Sequence, residues 1–510
     1  MKTLHIVLLT TLLLSVPMAR ICHAQTSIPK ELTRSIHLPT SKGSIYQLLQ
    51  SITQTTGYHL IYDSNLINNE KEQQLNGGSR TIAEAIYEIT GNQRLQLSIQ
   101  QDYILITLPP KPLHDHITGT LLDAETGHPI PYGTIYLQGT SWGTTSNQNG
   151  QFHIHIPDTL ASFRLVCSHI GYQKQEIDLA MLMRQDTIIH LTPNVVSLHE
   201  VIVSMRNPIT LLNGMIDNRE KNYPLHPSYL TTFYREGTHY KKKLMDMTEG
   251  IFKIYKPGVS PSYISDQVKQ LKNNRLSFRS EEDSLIAKIS GGIGSCLTLD
   301  VMQHLPLFLQ PESANIECAY YFSDITWMED KCTYVIHFRP TKNAKENFYR
   351  GEIYLDAETL ALVQICFRIH PDHIKKATLV KEQGKYIKIS PQSAEYTLSY
   401  RQWGSRYYVS HVRGDLNFKV KKKKSWISRS PLLHTWFEMA TCHIDTTNVK
   451  PFSREERIQP NSIFMETPLD YDPSFWQNFN IIPREKDLKE SIEQLQEQLR
   501  KSEQTGNGGM

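Results

Sequence analysis

Cysteine is scarce, with seven in 510 residues, too few for a disulfide framework. Positions 22, 167, 296, 318, 332, 366 and 442 contain no Cys-x-x-Cys pair, so most are simplest as small buried hydrophobes. Excess charge is missing too: 54 Lys and Arg against 51 Asp and Glu leave a net +3. That balance gives no overall footprint for nucleic acid, which calls for clustered base. Past the first two dozen residues no apolar run is long enough for a transmembrane helix, which excludes a polytopic helical membrane protein. Apolar residues are 39% of the chain, or about 44% with the 26 Gly, near the globular share of about 45–50%, so a mostly disordered chain is excluded. At roughly 100–200 residues per domain, the length predicts three or four domains.

Motifs for chemistry are also lacking. No H-E-x-x-H, G-x-S-x-G or G-x-x-x-x-G-K-[ST] occurs. The best Gly-rich stretch, Gly291-Gly292-Ile293-Gly294-Ser295-Cys296, lacks the Lys-Ser/Thr of a phosphate cradle and reads as a loop or hinge. Cys296 as a nucleophile would need a base, and His304 is only a sequence neighbour. His153 and His155 share a strand face, and His114 and His116 repeat the spacing. A metal needs three or four converging ligands, so an exposed polar strand face is the simpler reading. His370-Pro371-Asp372-His373 reads as a turn, and Glu281-Glu282-Asp283 as a solvated helix start. No catalytic, cofactor-binding or metal-ligating residue is assigned, no cofactor is expected, and the chain is read as non-enzymatic.

Residues 1–24 read as a secretory signal peptide. Lys2 precedes an uncharged apolar run from Ile6 to Met18, too short to span a bilayer. Cys22-His23-Ala24 places small residues for cleavage before Gln25. Lipidation at Cys22 is the alternative, disfavoured because Arg20 stands where a small apolar residue belongs. Cleavage removes Lys2 and Arg20 and takes the balance from +3 to +1.

Residues 25–110 predict a small α+β unit. Ser35 to Leu38 alternates as a strand, and Ile45, Leu48, Leu49 and Ile52 keep helical spacing up to Gly57. Tyr58 to Tyr62 follows as a strand. Thr81-Ile82-Ala83-Glu84 is a capping box that opens a second helix, ended by Gly91. Leu95 to Ile99 and Ile104 to Ile106 make a hairpin. The helix Ser44 to Thr56, the Gly57 to Tyr62 strand, the Thr81 to Ile86 helix start and the closing hairpin resemble the secretin and TonB N-terminal short domain. That resemblance implies a non-catalytic periplasmic module that meets an envelope partner protein.

Residues 114–195 have short strands with turn signals about every 8–12 residues, the all-β sandwich pattern. His116 to Leu122, Thr134 to Leu137, Phe152 to Ile156 and Phe163 to Val166 are expected strands, and Asn149-Gly150 is read as a hairpin turn. Gly119 to Asp123, Gly127 to Pro131, Gly139-Thr140, Thr144 to Phe152 and Ser168 to Tyr172 resemble the carboxypeptidase-regulatory-like domain, a β-sandwich without zinc chemistry. The two modules in series resemble the front of outer-membrane receptors of the Bacteroidetes. Leu198-His199-Glu200-Val201-Ile202-Val203 resembles the segment leading into a receptor plug. Glu200, Val201, Ile202 and Val203 are therefore a candidate partner strand, though a last sandwich strand entering a linker over 196–225 is simpler.

Residues 226–480 are expected to form an antiparallel β-rich domain, followed by a helix and flexible tail over 481–510. Gly250 to Tyr255, Tyr320 to Met328, Thr333 to Phe338, Tyr349 to Asp356, Leu360 to Arg368, Tyr396 to Tyr400, Tyr407 to Val412 and Leu416 to Val420 alternate as strands. This meander resembles the curved, half-open sheet of lipoprotein carriers. A receptor barrel is not expected, because Lys486 to Arg500 is a polar helix with Leu488, Ile492, Leu495 and Leu499 on one face. Asn222-Tyr223-Pro224, Phe233-Tyr234-Arg235-Glu236, Tyr349-Arg350-Gly351 and Phe475 to Asn480 resemble strings of exported Bacteroidetes proteins with the same regulatory-like domain. Lys419, Lys421, Lys422, Lys423 and Lys424 form the densest basic run, with Trp426 just after. They are a candidate contact for an anionic surface, or else a charged strand end that protects an edge.

The expectation is a mainly β, multidomain, exported protein of the periplasm, possible association with the outer membrane included. Its role would be interaction, signalling or scaffolding, with envelope partners met through residues 25–110 and no nucleic acid. The alternative is a lipid or lipoprotein carrier with a cavity in the C-terminal domain.

Overall fold

The computed structural model describes residues 29–62, 67–92, 95–100, 102–107, 116–157, 163–182, 187–194, 207–259, 263–277, 292–376, 387–422, 431–460, 476 and 479–506. The chain divides into two compact units, Met1–Leu113 and His114–Met510.

The first unit runs β1 (Ser35–Leu38), β2 (Ser41–Ser44), α1 (Ile45–Thr56), β3 (His59–Tyr62), β4 (Glu72–Leu75), β5 (Gly78–Thr81), α2 (Ile82–Thr90), β6 (Gln96–Gln100) and β7 (Tyr103–Thr107). Both helices open on capping boxes, Ser44 with Gln47 and Thr81 with Glu84, each satisfying two orphan amide groups. Ile45, Leu48, Leu49 and Ile52 of α1 and Ile82, Ala85, Ile86 and Ile89 of α2 are buried in one core with Ile104 and Ile106. β3 pairs in parallel with β7, which pairs antiparallel with β6. Three strands escape the sequence reading. β2, β4 and β5 are four-residue polar segments, held by pairing β1 to β5 and β2 to β4.

The second unit begins with a sandwich: β8 (His116–Asp123), β9 (Thr134–Leu137), β10 (Gly143–Thr145), β11 (Gln151–His155), β12 (Arg164–Ser168), β13 (Gln175–Asp178), α3 (Leu179–Leu182) and β14 (Thr187–Leu191). One sheet has the order β10-β9-β12-β13, the other β11-β8-β14. Phe152, Ile154, Leu121, Ile135, Leu137, Leu165 and Leu191 fill the space between them. Asn149-Gly150 does not make the expected hairpin. It carries the chain from β10 in one sheet to β11 in the other. The Asn147 carboxamide oxygen holds this corner by accepting from the amides of Asn149 and Gln151, both at 2.9 Å.

A ten-stranded antiparallel sheet follows, built from β15 (Ser228–Tyr240), β16 (Lys243–Lys256), β17 (Gln267–Ser277), β18 (Cys318–Met328), β19 (Lys331–Pro340), β20 (Tyr349–Asp356), β21 (Leu362–Ile369), β22 (Ile387–Trp403), β23 (Arg406–Lys422) and β24 (Leu432–Asp445). The order is β17-β16-β15-β24-β23-β22-β21-β20-β19-β18, an open sheet with β17 and β18 at its edges. Arg413-Gly414-Asp415, where the sequence suggests a break, lies inside one continuous strand, β23. Residues 208–222, expected within a linker, form α4 (Pro208–Asp217) and α5 (Arg219–Asn222).

One face of the sheet is apolar. Tyr234, Phe252, Ile336, Phe338, Ile353, Ile365, Leu398, Val412 and Met439 pack there against Leu211, Leu212 and Met215 of α4, Cys296 and Leu297 of α6 (Gly294–Thr298), and Met302, Phe308 and Leu309. These covering residues are at most 7% exposed. Among the described residues this face is filled. The other face receives the sandwich, residues 479–485 and α7 (Lys486–Gly506). Leu488, Ile492 and Leu495 of α7 bury against Leu244, Met247, Leu276 and Trp436, so the helical stripe expected from sequence is a packing face.

Candidate functional site

The polar face of the sheet holds a row of alternating charges. Strand register sets Glu249, Arg235, Glu438 and Arg413 directly opposite one another on β16, β15, β24 and β23. All four are buried, Arg235 and Glu438 at 0% exposure. Arg235 Nε donates to Glu438 Oε1 at 2.8 Å, and Arg413 Nη1 donates to Glu438 Oε2 at 3.2 Å. Arg235 Nη1 lies 3.8 Å from Glu249 Oε1. Arg413 Nε donates to Asp415 Oδ2 at 2.7 Å, and His434 Nε2 sits 3.2 Å from Asp415 Oδ1. Trp436 stacks beneath both guanidiniums, 5.4 Å from Arg235 and 5.6 Å from Arg413. Burial alone would raise the Glu438 carboxyl. The guanidinium charges of Arg235 and Arg413, together with the neighbouring His411 ring, outweigh it and hold the group well below the usual carboxylate range.

The row joins three parts of the chain. Arg484 donates from Nε to both oxygens of Glu249, at 3.0 and 3.1 Å, and Glu485 Oε2 lies 3.5 Å from Arg235 Nη2. From the sandwich, Tyr132 lies 5.4 Å over Arg413 and stacks on His411 at 5.1 Å. Arg401 Nη2 donates to Ser141 O at 2.8 Å while its guanidinium rests 5.0 Å over Tyr136. Asn480 completes the clasp: its amide nitrogen donates to Gly143 O, its amide oxygen accepts from His155 N, and its backbone carbonyl accepts from the Cys442 thiol at 3.2 Å. Asn147 Nδ2 donates to Pro483 O at 3.0 Å, and Thr144 Oγ1 to Ile481 O at 3.2 Å. Arg401 and Arg413 thus reach the sandwich directly, while Glu249 and Arg235 anchor residues 484 and 485, the end of the segment that ties it down.

A groove of about 380 Å³ opens beside the clasp. Phe233, Trp476, Ile481, Ile482 and Ile492 make its apolar walls, and Arg484, Lys489, Glu249 and Glu493 its charged margins. On the apolar face, Lys256 is buried with Asp266 and Asp300 at 2.7 and 2.8 Å, and Tyr400 donates to Asp300 at 2.7 Å.

Among the described residues no group of three or more His, Cys, Asp or Glu could hold a metal ion. His116 and His153 stack at 4.9 Å, and His155 meets the edge of Trp142 at 6.4 Å. The six described cysteines form no disulfide with one another, and burial pushes the Cys296 thiol up. His370-Pro371-Asp372-His373 is a short turn after β21. Lys419, Lys421 and Lys422 lie at the end of β23, the first two exposed. Lys423, Lys424 and Trp426, and the candidate partner strand Glu200, Val201, Ile202 and Val203, lie outside the described residues. The clasp itself is invisible to motif reading, although the strings Phe233 to Glu236 and Phe475 to Asn480 contain two of its members, Arg235 and Asn480, and two groove residues, Phe233 and Trp476.

The CarboxypepD_reg-like domain model matches residues 117–203. A TonB-dependent receptor P3 from Formosa agariphila is 27% identical over 112 residues, which span 22% of this chain and 11% of the receptor. A DUF1329 family protein from Desulfovibrio piger aligns with 48% of this chain and 93% of its own at 12% identity and a TM-score of 0.20. A putative outer membrane lipoprotein-sorting protein domain from Vibrio parahaemolyticus aligns with 47% of this chain and 93% of its own at 11% identity and a TM-score of 0.21. These scores are too low to carry an argument, and the fold rests on its own strand order. Among the described residues no helix is long and apolar enough to cross a membrane. The stretch 117–203, which takes in the sandwich from β8 to β14 except for His116, is thus matched by the CarboxypepD_reg-like domain.

Proposed function

We propose that the chain is a non-catalytic envelope protein, a scaffold that presents interaction modules in connection with TonB-dependent outer-membrane systems. The observation that carries this reading is the clasp. Asn480, Ile481, Pro483 and Glu485, with the Arg401 and Arg413 guanidiniums, fasten the sandwich to the sheet, and a platform needs such a fixed seat. The matched sandwich domain and the partial likeness to a TonB-dependent receptor support the envelope setting, as does the leader expected over residues 1–24. The first unit is the partner-binding module in this reading. His59 and Ile61 of β3 and Tyr103 of β7 are exposed on one sheet face, Ile61 at 49% and Tyr103 at 42%.

The test places a photo-crosslinking residue at Ile61 in the full chain and fractionates the cell. The expected product is an adduct with an envelope protein that disappears in Tyr103→Asp. Recovery of the chain in the cytosol, or adducts indifferent to Tyr103→Asp, would sink the proposal. A second reading, carriage of an apolar ligand, is favoured by the groove lined by Phe233, Trp476 and Ile492. Its test is retention of a fluorescent fatty acid that Ile492→Asp abolishes.

A further inference from the structure

We infer that one end of the ten-stranded sheet docks on a bilayer with anionic headgroups. The inference rests on the envelope setting proposed above and adds the surface and the partner chemistry.

The topology gathers lysines that are far apart in sequence. Lys421 on β23 stands directly opposite Lys388 on β22, and Lys419 is paired with Ser390 on one side and Leu432 of β24 on the other. The turn between β15 and β16 adds Lys241 and Lys242, the first residue of β16 adds Lys243, and the Lys241 amide donates to Leu432 O at 3.2 Å. All six lysines are exposed. Strand alternation explains why. Ile389, Phe418, Val420 and Leu433 turn to the opposite face and are buried together, which leaves Lys388, Lys419 and Lys421 outward.

Among the described residues none of these six lysines has a carboxylate ion-pair partner. The nearest carboxylates on these strands are committed elsewhere: Asp246 to Arg275 at 2.6 Å and Asp415 to Arg413 at 2.7 Å. Lys241 Nζ lies 5.0 Å over the Tyr240 ring. Like charges directly opposite in a sheet repel, so the Lys388–Lys421 pair is a liability that an anionic partner would relieve. The turn points the same way. Lys241 and Lys242 both occupy the left-handed region, at φ 52° and 66°, where Asn-Gly is the favoured choice. Lysine gains nothing there from turn geometry.

Leu432 selects the partner. It is 50% exposed in the middle of the lysines. An aliphatic side chain ringed by cations suits the boundary between headgroups and acyl chains, and a cluster of about four to eight basic residues is the size that anionic leaflets attract. A nucleic acid would want exposed rings for stacking. The ring at this end, Tyr240, is half-buried and already carries Lys241.

The experiment measures partition of the full chain onto vesicles of phosphatidylcholine alone and of phosphatidylcholine with phosphatidylglycerol. Two independent triple variants, K388Q/K419Q/K421Q and K241Q/K242Q/K243Q, and the single Leu432→Ser are compared, with thermal unfolding as the check on folding. Binding is expected on the anionic vesicles only, to weaken with salt, and to fall about tenfold or more in each triple variant. Leu432→Ser is expected to weaken binding without changing its salt dependence. Equal partition onto both vesicles, or folded triple variants that bind as the parent does, would overturn the proposal. So would duplex DNA that binds more tightly than the vesicles and displaces them. Cytosolic recovery in the fractionation test would sink the envelope reading and leave this surface chemistry standing. Vesicle indifference would sink the docking surface and leave any Ile61 adducts unaffected.

Discussion

Arg235 illustrates how buried charge is made tolerable in this protein. Its guanidinium is desolvated at 0% exposure, yet Glu438, Glu485 and Glu249 together raise its pKa against the effect of burial. Removing one partner of such a pair leaves the other charged and buried. Arg235→Leu is therefore expected to lower stability by about 3–5 kcal/mol, measured by urea unfolding of the second unit. Glu236, one residue on and on the opposite face, has the reverse problem. Burial raises its carboxyl from 4.5 to about 7, although Tyr234 donates to it at 2.9 Å. The native state thus prefers the protonated form. The linked stability is fully present below pH 4.5 and is lost as the pH climbs through about 7. Glu236→Gln is expected to remove most of this decline across roughly pH 5–8, a difference of about 3 kcal/mol at the upper end. A variant whose unfolding midpoint still falls as steeply as the parent's would refute the assignment. The sequence shows both residues within Phe233-Tyr234-Arg235-Glu236, but only strand register shows that Arg235 stands between Glu249, across its own hairpin, and Glu438, 203 residues along the chain.

At the scale of elements, alternation and capping were legible where a single residue type decides the matter. The Thr81–Glu84 box and the α1 stripe lie where the pattern places them, and between the expected strands Tyr320 to Met328 and Thr333 to Phe338 the chain turns at Glu329-Asp330, with φ of 50° and 61°. β23 was misread because Arg413-Gly414-Asp415 looks like a turn when its partners are unknown. Buried ion pairing overrides the local signal. Close approach is another property hidden from sequence. A Cβ on Gly351 would clash with the Cys366 carbonyl oxygen of the neighbouring strand. Gly351→Ala is expected to push β20 from β21 and lower stability by about 1–3 kcal/mol, seen as a shift in thermal midpoint. Leu495 of α7 is 1% exposed against the sheet, and Leu495→Ala is expected to cost about 2–3 kcal/mol. Unchanged helical signal with unchanged stability would show that α7 packs less firmly than its burial implies.

For the whole molecule, two compact units predict two thermal transitions by calorimetry, the first unit unfolding around its own core. Asn480→Ala is expected to lower only the second transition, by about 1–3 kcal/mol, because the Gly143 carbonyl and the His155 amide lose their partner. A third transition in the parent, with the sandwich melting alone, would contradict the clasp. Domain boundaries drawn from composition separate 114–195 from 226–480, since nothing local announces that the two share an interface. The clasp also dictates an order of events during synthesis. β15 emerges early but pairs with β24, which begins at Leu432, and the fastening residues 479–485 come later still. Throughout that interval the edge of β15, the Arg235 side chain and the docking surface of the sandwich all lack their final neighbours. The nascent chain therefore carries an adhesive surface for most of its translation, and its yield should depend on how well the cell shields that surface until residue 485 has been made.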